Sequence, residues 1–379
     1  MRQPNTPIRV GIDIRDLRVA KTGQKTVLEE LCKQFKKHTD PTIEFIFLDD
    51  THPIPTGKKK WQIILGHFCY QWWKQIVLPW KAYRNKCRIV FCGDYFVPLL
   101  QPGFKTIEIF HDAFFFEYPQ HYHALWRKLF HLIAMPGARK CSSIMVTSQY
   151  ARQQVHHHTG IALEKLISIP LGPKTFPVVE KDIPSAIEQY LQHPYILHVG
   201  VMEKRKNLPM LIKAFDRYCA KEPKDNRRLI LAGKGNGKQD SDDTANIEKA
   251  IQDSPYKDRI IRTGFLPDAS IAVLYEHADL YVFPSVNEGF GIPVLEAFHW
   301  EVPVLVANNT CLPEVGGDAV RSFDPYDPEA LASLMHQVLH DTSMQEEMIQ
   351  KGKQRLQDFS WEKAANQLVA LFKKTVQHD

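Results

Sequence analysis

The sequence predicts an α/β protein made of two doubly wound, Rossmann-like domains. Short apolar runs alternate with amphipathic stretches along the chain, the pattern of parallel strands with helices on both faces of the sheet. The alternation breaks once, where Pro173, Pro177, Pro184 and Pro194 interrupt any regular element and mark a linker. At 379 residues the chain is also too long for one simple core, so two domains are expected from length alone.

In order, the first-half strands are expected at Arg9–Ile14, Glu44–Leu48, Arg88–Cys92, Lys105–Phe110, Ser143–Thr147 and Leu166–Pro170. Helical periodicity is clearest at Thr26–Lys37 and Ala124–Lys140. This gives a first domain over 1–172 and a linker over 173–194. A second domain over 195–358 has strands at Tyr195–Val199, Arg228–Ala232, Arg259–Thr263, Leu280–Pro284 and Val302–Ala307. The remaining segment, 359–379, reads as a helix: Ser360 is a plausible N-cap, and apolar residues recur at 361, 364, 365, 368, 369 and 372. Such a helix can pack back on the first domain, which the sequence leaves open.

Composition excludes several classes. No uncharged apolar run approaches the roughly 18 residues of a membrane span. Seven cysteines without a Cys-x-x-Cys pair argue against a disulfide framework and a zinc site, and a reduced cytoplasmic compartment fits best. The net charge of +5 hides an asymmetry: residues 1–175 carry 25 Lys+Arg against 13 Asp+Glu, and residues 176–379 carry 23 against 30. In the basic half, Trp61, Phe68, Tyr70, Trp72, Trp73 and Trp80 are interleaved with Lys74, Lys81, Arg84 and Lys86. That mixture suits a surface meeting anionic lipid headgroups or a lipid diphosphate, and equally a charged face over buried aromatics. No nucleic-acid motif accompanies it.

The most informative segment is 283–298. A strand ends at Pro284, Gly289 and Gly291 free the backbone for close approach to a ligand, and Pro293 falls in the first turn of a new helix. Carboxyl ends of strands and helix N-termini face the ligand crevice in open α/β sheets. Glu288 and Glu296, eight residues apart, can grip hydroxyls at two ends of one polyhydroxylated ligand. Alternatively, Glu288 is a solvated loop charge and Glu296 complements the helix dipole.

This Glu-x7-Glu pair with its Gly-Phe-Gly-Ile-Pro insert resembles retaining glycosyltransferases of family four, which have the GT-B fold. Further similar segments follow in the family's order: His198-Val199-Gly200, Arg205-Lys206-Asn207-Leu208, Leu231 to Gly235, Thr263 to Asp268, Ala278-Asp279-Leu280, Leu312 to Val315 and Phe359 to Glu362. The resemblance implies that Glu296 holds the ribose and that Glu288, with the backbone of Gly289, Phe290 and Gly291, contacts the donor sugar. It implies that Arg205 and Lys206 bind the donor diphosphate, and that the loops at Gly23, Gly200, Gly233, Gly264 and Phe265 line the donor. His111 of the His111-Asp112 pair would touch the donor sugar or the reacting centre; the other reading is a strand-end histidine bonded to backbone. Val201 stands where some members have an arginine, and Gln24-Lys25 where the family usually has a small residue.

Competing motifs fail on spacing. Gly233 to Lys238 satisfies neither a dinucleotide fingerprint nor a Walker loop. Asp240-Ser241-Asp242-Asp243 reads as a solvated loop, and His121, His123 and His156–His158 as surface histidines. Ser148 reads as an N-cap.

The resemblance thus implies hexose transfer with retention, GDP-mannose favoured and UDP-hexoses next, to a glycan or lipid-linked acceptor in cell-envelope polysaccharide or lipopolysaccharide synthesis. It implies no metal and no cofactor beyond the nucleotide-sugar co-substrate, and a cytoplasmic enzyme with scope for contact at the membrane face. A sugar-nucleotide epimerase or phosphorylase on the same fold, and an idle regulatory subunit of a transferase, are the alternatives.

Overall fold

A computed structural model describes residues 7–18, 23–51, 60–117, 124–177, 185–235 and 241–377. The chain divides into two compact units: one joins the residues up to Leu171 to those from Trp361 onward, and the other is Gly172–Ser360.

The first unit holds β1 (Ile8–Asp13), β2 (Ile43–Leu48), β3 (Ile89–Cys92), β4 (Lys105–Phe110), β5 (Ser143–Val146) and β6 (Leu166–Ser168). They form one sheet in the order β2-β1-β3-β4-β5-β6, with every pairing parallel. Central strands of such a sheet are covered on both faces, which is why Ile89–Cys92 and Ser143–Val146 are buried at every position. The second unit holds β7 (Tyr195–Val199), β8 (Arg228–Ala232), β9 (Ile260–Gly264), β10 (Leu280–Phe283), β11 (Val304–Ala307) and β12 (Val320–Phe323). Their order is β12-β11-β10-β7-β8-β9, again parallel throughout. Strand order reverses between β1 and β3 in one sheet and between β7 and β10 in the other, and ligands of open α/β sheets sit outside the carboxyl ends at that reversal.

Four features add to the expectation or differ from it. β12 is an extra edge strand whose polar Arg321 and Ser322 hide it from an apolar-run search. Within 173–194, which the prolines mark as linker, Ser185–Glu188 form a helical turn. The aromatic-basic region is helical, running Lys60–Trp72, a π-helical segment Trp73–Val77, then Leu78–Arg84. Gly23, expected in a donor loop, is the first residue of the helix Gly23–Lys37; residues 19–22 of that loop lie outside the described residues.

The terminal helix Trp361–Gln377 packs within the first unit. Its Phe372 ring lies 6.2 Å from Phe35, 6.4 Å from Phe45 and 5.8 Å from Phe91, and Lys105 Nζ donates to the Thr375 carbonyl at 3.0 Å. The 3.6-residue apolar stripe thereby covers the sheet's helix layer rather than facing solvent.

Candidate active site

In the second unit, the segments that follow β7 and β10 meet at the strand-order reversal. After β7, Lys204–Lys206 form a 3-10 turn that ends at Asn207, in the left-handed region, and the helix Leu208–Lys221 starts there. After β10, the loop 284–291 leads into the helix Ile292–His299. The two are stitched together through one carbonyl: Val286 N and Ser285 Oγ both donate to Arg205 O, at 2.8 and 3.0 Å. Gly291, at φ 91°, turns the chain into the helix, and a Cβ there would meet Leu312 Cδ2 at 2.7 Å.

Glu288 is the hub. Its Oε1 accepts from Arg205 Nη1 at 2.6 Å, Lys206 Nζ at 2.6 Å and Ser285 Oγ at 2.7 Å. Arg205 also donates to Glu203 Oε2 at 2.7 Å and to the Asn287 carbonyl, and Lys206 Nζ lies 4.5 Å from the centre of the Phe283 ring. Burial alone raises the Glu288 carboxyl; Arg205 and then Lys206 outweigh it and hold it down to about 2. Lys206 shifts downward because its burial outweighs the attraction of Glu288. Two cations and one carboxylate, with Lys206 buried and Arg205 and Glu288 half-buried, are thus fixed at the carboxyl ends of β7 and β10.

Glu296 lies one helical turn into Ile292–His299 and is buried, accepting from Tyr275 Oη at 2.9 Å. Burial pushes its carboxyl up to about 7, against the hydrogen bond from Tyr275 and the charge of Lys174. Since the usual value is 4.5, the folded chain holds a proton there that the unfolded chain has lost, so stability falls as pH rises from about 4.5 to 7. Glu296→Gln is therefore expected to raise the melting temperature at pH 8 and to leave it nearly unchanged at pH 5, as a calorimetric scan would read.

The glycines that end β7, β8 and β9 serve backbone approach. A Cβ on Gly233, at φ 145°, would lie 1.8 Å from the Gly200 carbonyl oxygen, and Gly233 N donates to Gly264 O at 3.0 Å. Only glycine fits between these loops. Phe265 is 70% exposed, with Lys234 Nζ 5.0 Å from its ring centre. His198 was singled out only as part of a motif. Its Nδ1 pairs with the Val282 carbonyl at 3.0 Å, its buried Nε2 has no hydrogen-bond partner among the described residues, and burial lowers its pKa to about 4.

In the first unit, His111 follows β4 and its Nε2 pairs with the Gly93 carbonyl at 3.0 Å, so the backbone-bonded reading holds as geometry. Burial lowers its pKa and keeps it neutral. The sequence reading missed a second group here, at the β1/β3 reversal. Lys74, fully buried on the π-helical segment, lies 2.7 Å from Asp13 Oδ2, 3.6 Å from Asp16 Oδ2 and 2.5 Å from Asp94 Oδ1. Trp73 Nε1 donates to Asp13 and Tyr70 Oη to Asp94. Burial raises the Asp94 and Asp16 carboxyls. A π-helical insertion that turns a lysine into a carboxylate cluster marks a site built for polar contact, and no sequence spacing announces it.

The remaining motifs settle as structural. Ser148 Oγ accepts from Ala151 N at 3.0 Å as an N-cap, and His156 Nδ1 pairs with the Ile161 carbonyl at 2.8 Å. Asp242 accepts from Thr244 N at 2.9 Å ahead of the helix Thr244–Asp253; Asp240, His121 and His123 lie outside the described residues.

A buried lysine and a half-buried arginine held by one carboxylate at the reversal of a Rossmann sheet define a site suited to a nucleoside diphosphate derivative. Residues 179–355, most of the second unit, match the family model described as glycosyl transferases group 1. It is 29% identical over 280 residues to O-antigen chain mannosyltransferase B of Escherichia coli, covering 71% of this chain and 70% of that protein. Similarity to the serotype-specific mannosyltransferase WbdA of Escherichia coli is 29% over 257 residues, 65% of this chain but only 31% of that protein. Among solved structures, sucrose-phosphate synthase of Thermosynechococcus elongatus aligns with a TM-score of 0.73 at 19% identity, covering 98% of this chain and 100% of that one. Anabaena HepE in complex with UDP-glucose aligns at 0.70 with 16% identity, covering 97% and 99%. The fold is GT-B, and the chain is a glycosyltransferase.

Proposed function

We propose that this enzyme transfers mannose from GDP-mannose, with UDP-hexoses as second choice, to a glycan or lipid-linked acceptor of an O-antigen-type surface polysaccharide. The mannosyltransferases to which it is similar support the sugar and the pathway class. The observation that carries the reading is the joining of Arg205 and Lys206 on one oxygen of Glu288.

Arg205 and Lys206 then neutralise the donor diphosphate. Glu288 and the backbone of Gly289, Phe290 and Gly291 hold the sugar, and Glu296 accepts from the ribose hydroxyls. His111 serves the sugar or the reacting centre through its remaining ring nitrogen. A carboxylate held at about 2 is a poor base for an acceptor hydroxyl. The leaving diphosphate is the better one: the bond from the anomeric carbon to the diphosphate oxygen breaks, the acceptor oxygen bonds the same face of that carbon, and its proton passes to the diphosphate. Fixed cations stabilise the departing charge, so no metal is needed.

Incubation with GDP-mannose and a mannose-terminated acceptor is expected to give the α-linked product by NMR, at an unchanged rate in EDTA. A β-linked product overturns retention, dependence on Mn²⁺ overturns the metal-independent step, and conversion of the donor without acceptor indicates an epimerase. Because Glu296 binds ribose best as the carboxylate, nucleotide affinity is expected to fall as pH drops from 8 to 6 in wild type and to stay flat in Glu296→Gln, by calorimetry.

The acceptor side also reads as membrane-facing. Along the helical run 60–84, Trp61, Ile64, Leu65, Phe68, Trp72, Ile76, Trp80 and Tyr83 are exposed at helical spacing. Exposed Arg84 and Lys86 follow this stripe, and Arg127, Lys128 and Leu132 are exposed on a later helical run of the same unit. Apolar and basic side chains together fit anionic lipid. The protein is expected to sediment with phosphatidylglycerol vesicles but not phosphatidylcholine ones, and the Trp72→Ser/Trp80→Ser variant to lose this; equal binding to both vesicles contradicts it.

A further inference from the structure

Away from the donor site, the second unit carries three side chains of metal-binding type. His336 and His340 stand one turn apart on the helix Pro328–His340, and Glu222 caps the end of the helix Leu208–Lys221. One ligand atom from each lies within 4.8 Å of the other two. His336 Nε2 is 2.7 Å and His340 Nε2 3.8 Å from the Glu222 carboxylate, and the imidazole rings stack at 4.6 Å. His340 Nδ1 pairs with the His336 carbonyl at 2.9 Å, which leaves the lone pair on Nε2, the atom turned toward Glu222.

We infer that Glu222, His336 and His340 form a transition-metal site. An ion at about 2.0–2.1 Å from each donor needs them only a little over 3 Å apart, so small rotamer shifts suffice. Two imidazoles and one carboxylate suit Zn²⁺, Ni²⁺ or Cu²⁺ and not Mg²⁺ or Ca²⁺. With side-chain exposures of 43% for His336, 39% for His340 and 28% for Glu222, all three donors are reached from solvent, and waters complete the coordination.

The site is a clamp. It bridges two helices that pack together through Leu211, Phe215, Tyr218, Leu331, Met335 and Val338, beside the exposed Lys221–Glu329 ion pair. The helix Leu208–Lys221 begins two residues after Lys206 and spans about 20 Å, so the metal acts at the opposite end of this helix from the donor cations. Sequence inspection found no metal set because the histidines are 114 and 118 residues from their carboxylate.

The test is titration of the full chain, stripped with EDTA, with ZnCl₂ at pH 7.5, read by calorimetry and melting temperature. Wild type is expected to bind one tight equivalent and to melt several degrees higher, with no response to MgCl₂. His336→Gln/His340→Gln, at a half-buried and an exposed position, is expected to keep the metal-free melting temperature and to lose the tight equivalent. Glu222→Gln should weaken it at least about tenfold. Retention of the tight equivalent in the double histidine variant, or an equal response to Mg²⁺, overturns the assignment.

Discussion

Glu288→Gln is expected to lower kcat for sugar transfer about 10²–10³-fold while leaving the protein folded, the scale seen when one preorganised charged contact to the reacting centre is lost. Glutamine has nearly the same volume, and the loop keeps its other ties: Ser285 and Val286 still bond the Arg205 carbonyl, and Arg205 still bonds Glu203 and the Asn287 carbonyl. What goes is the charge that orders both cations on one oxygen. Lys206, already depressed by burial, loses its counter-charge and with it part of its protonated fraction. Steady-state kinetics with saturating donor, beside a thermal melt, separates the cases. Activity within tenfold of wild type contradicts the assignment of Glu288 to the reacting centre.

Lys74→Met is expected to cost the first unit about 3–5 kcal/mol, because it leaves buried carboxylates without their cation. Methionine fills the space of the lysine stem, so the loss is electrostatic and not a cavity. Asp13, Asp16 and Asp94 surround the ammonium, and Lys74 is held charged: burial lowers its pKa, but Asp13 and Asp16 together raise it more. The sign with pH follows. In the variant the carboxylates protonate readily, so the deficit against wild type is expected to shrink as pH falls from 8 to 5. A melting-temperature deficit that is absent at pH 8, or constant with pH, contradicts this account.

Most strands were legible because parallel strands covered on both faces read as short runs rich in Ile, Leu and Val: Lys105–Phe110, Tyr195–Val199 and Arg228–Ala232 match residue for residue. The edge strand Val320–Phe323 was not, since half of it faces solvent. The Glu288–Glu296 segment and the Arg205-Lys206 pair stood out from residue spacing and resemblance, and the structure adds why they act together. That bond spans 82 residues and depends on the β7/β10 neighbourhood, which no local pattern encodes. Lys74 was invisible for the same reason. Its three partners come from the end of β1, the 3-10 turn after it and the segment after β3, and a π-helical insertion sets its direction. Gly233, which the resemblance assigns to donor contact, is also tied to the close approach of the Gly200 carbonyl, a constraint no local pattern shows.

The central claim is that the β7/β10 reversal of the second unit seats the diphosphate of the sugar donor on Arg205 and Lys206. Calorimetric titration of wild type and Lys206→Met with GDP, UDP and ADP tests it most directly. At least one diphosphate should bind wild type at one site per chain, and Lys206→Met should weaken that binding at least about tenfold, the loss of one charge-assisted contact. Equal affinity in the two proteins, or no binding of any of the three, would contradict it.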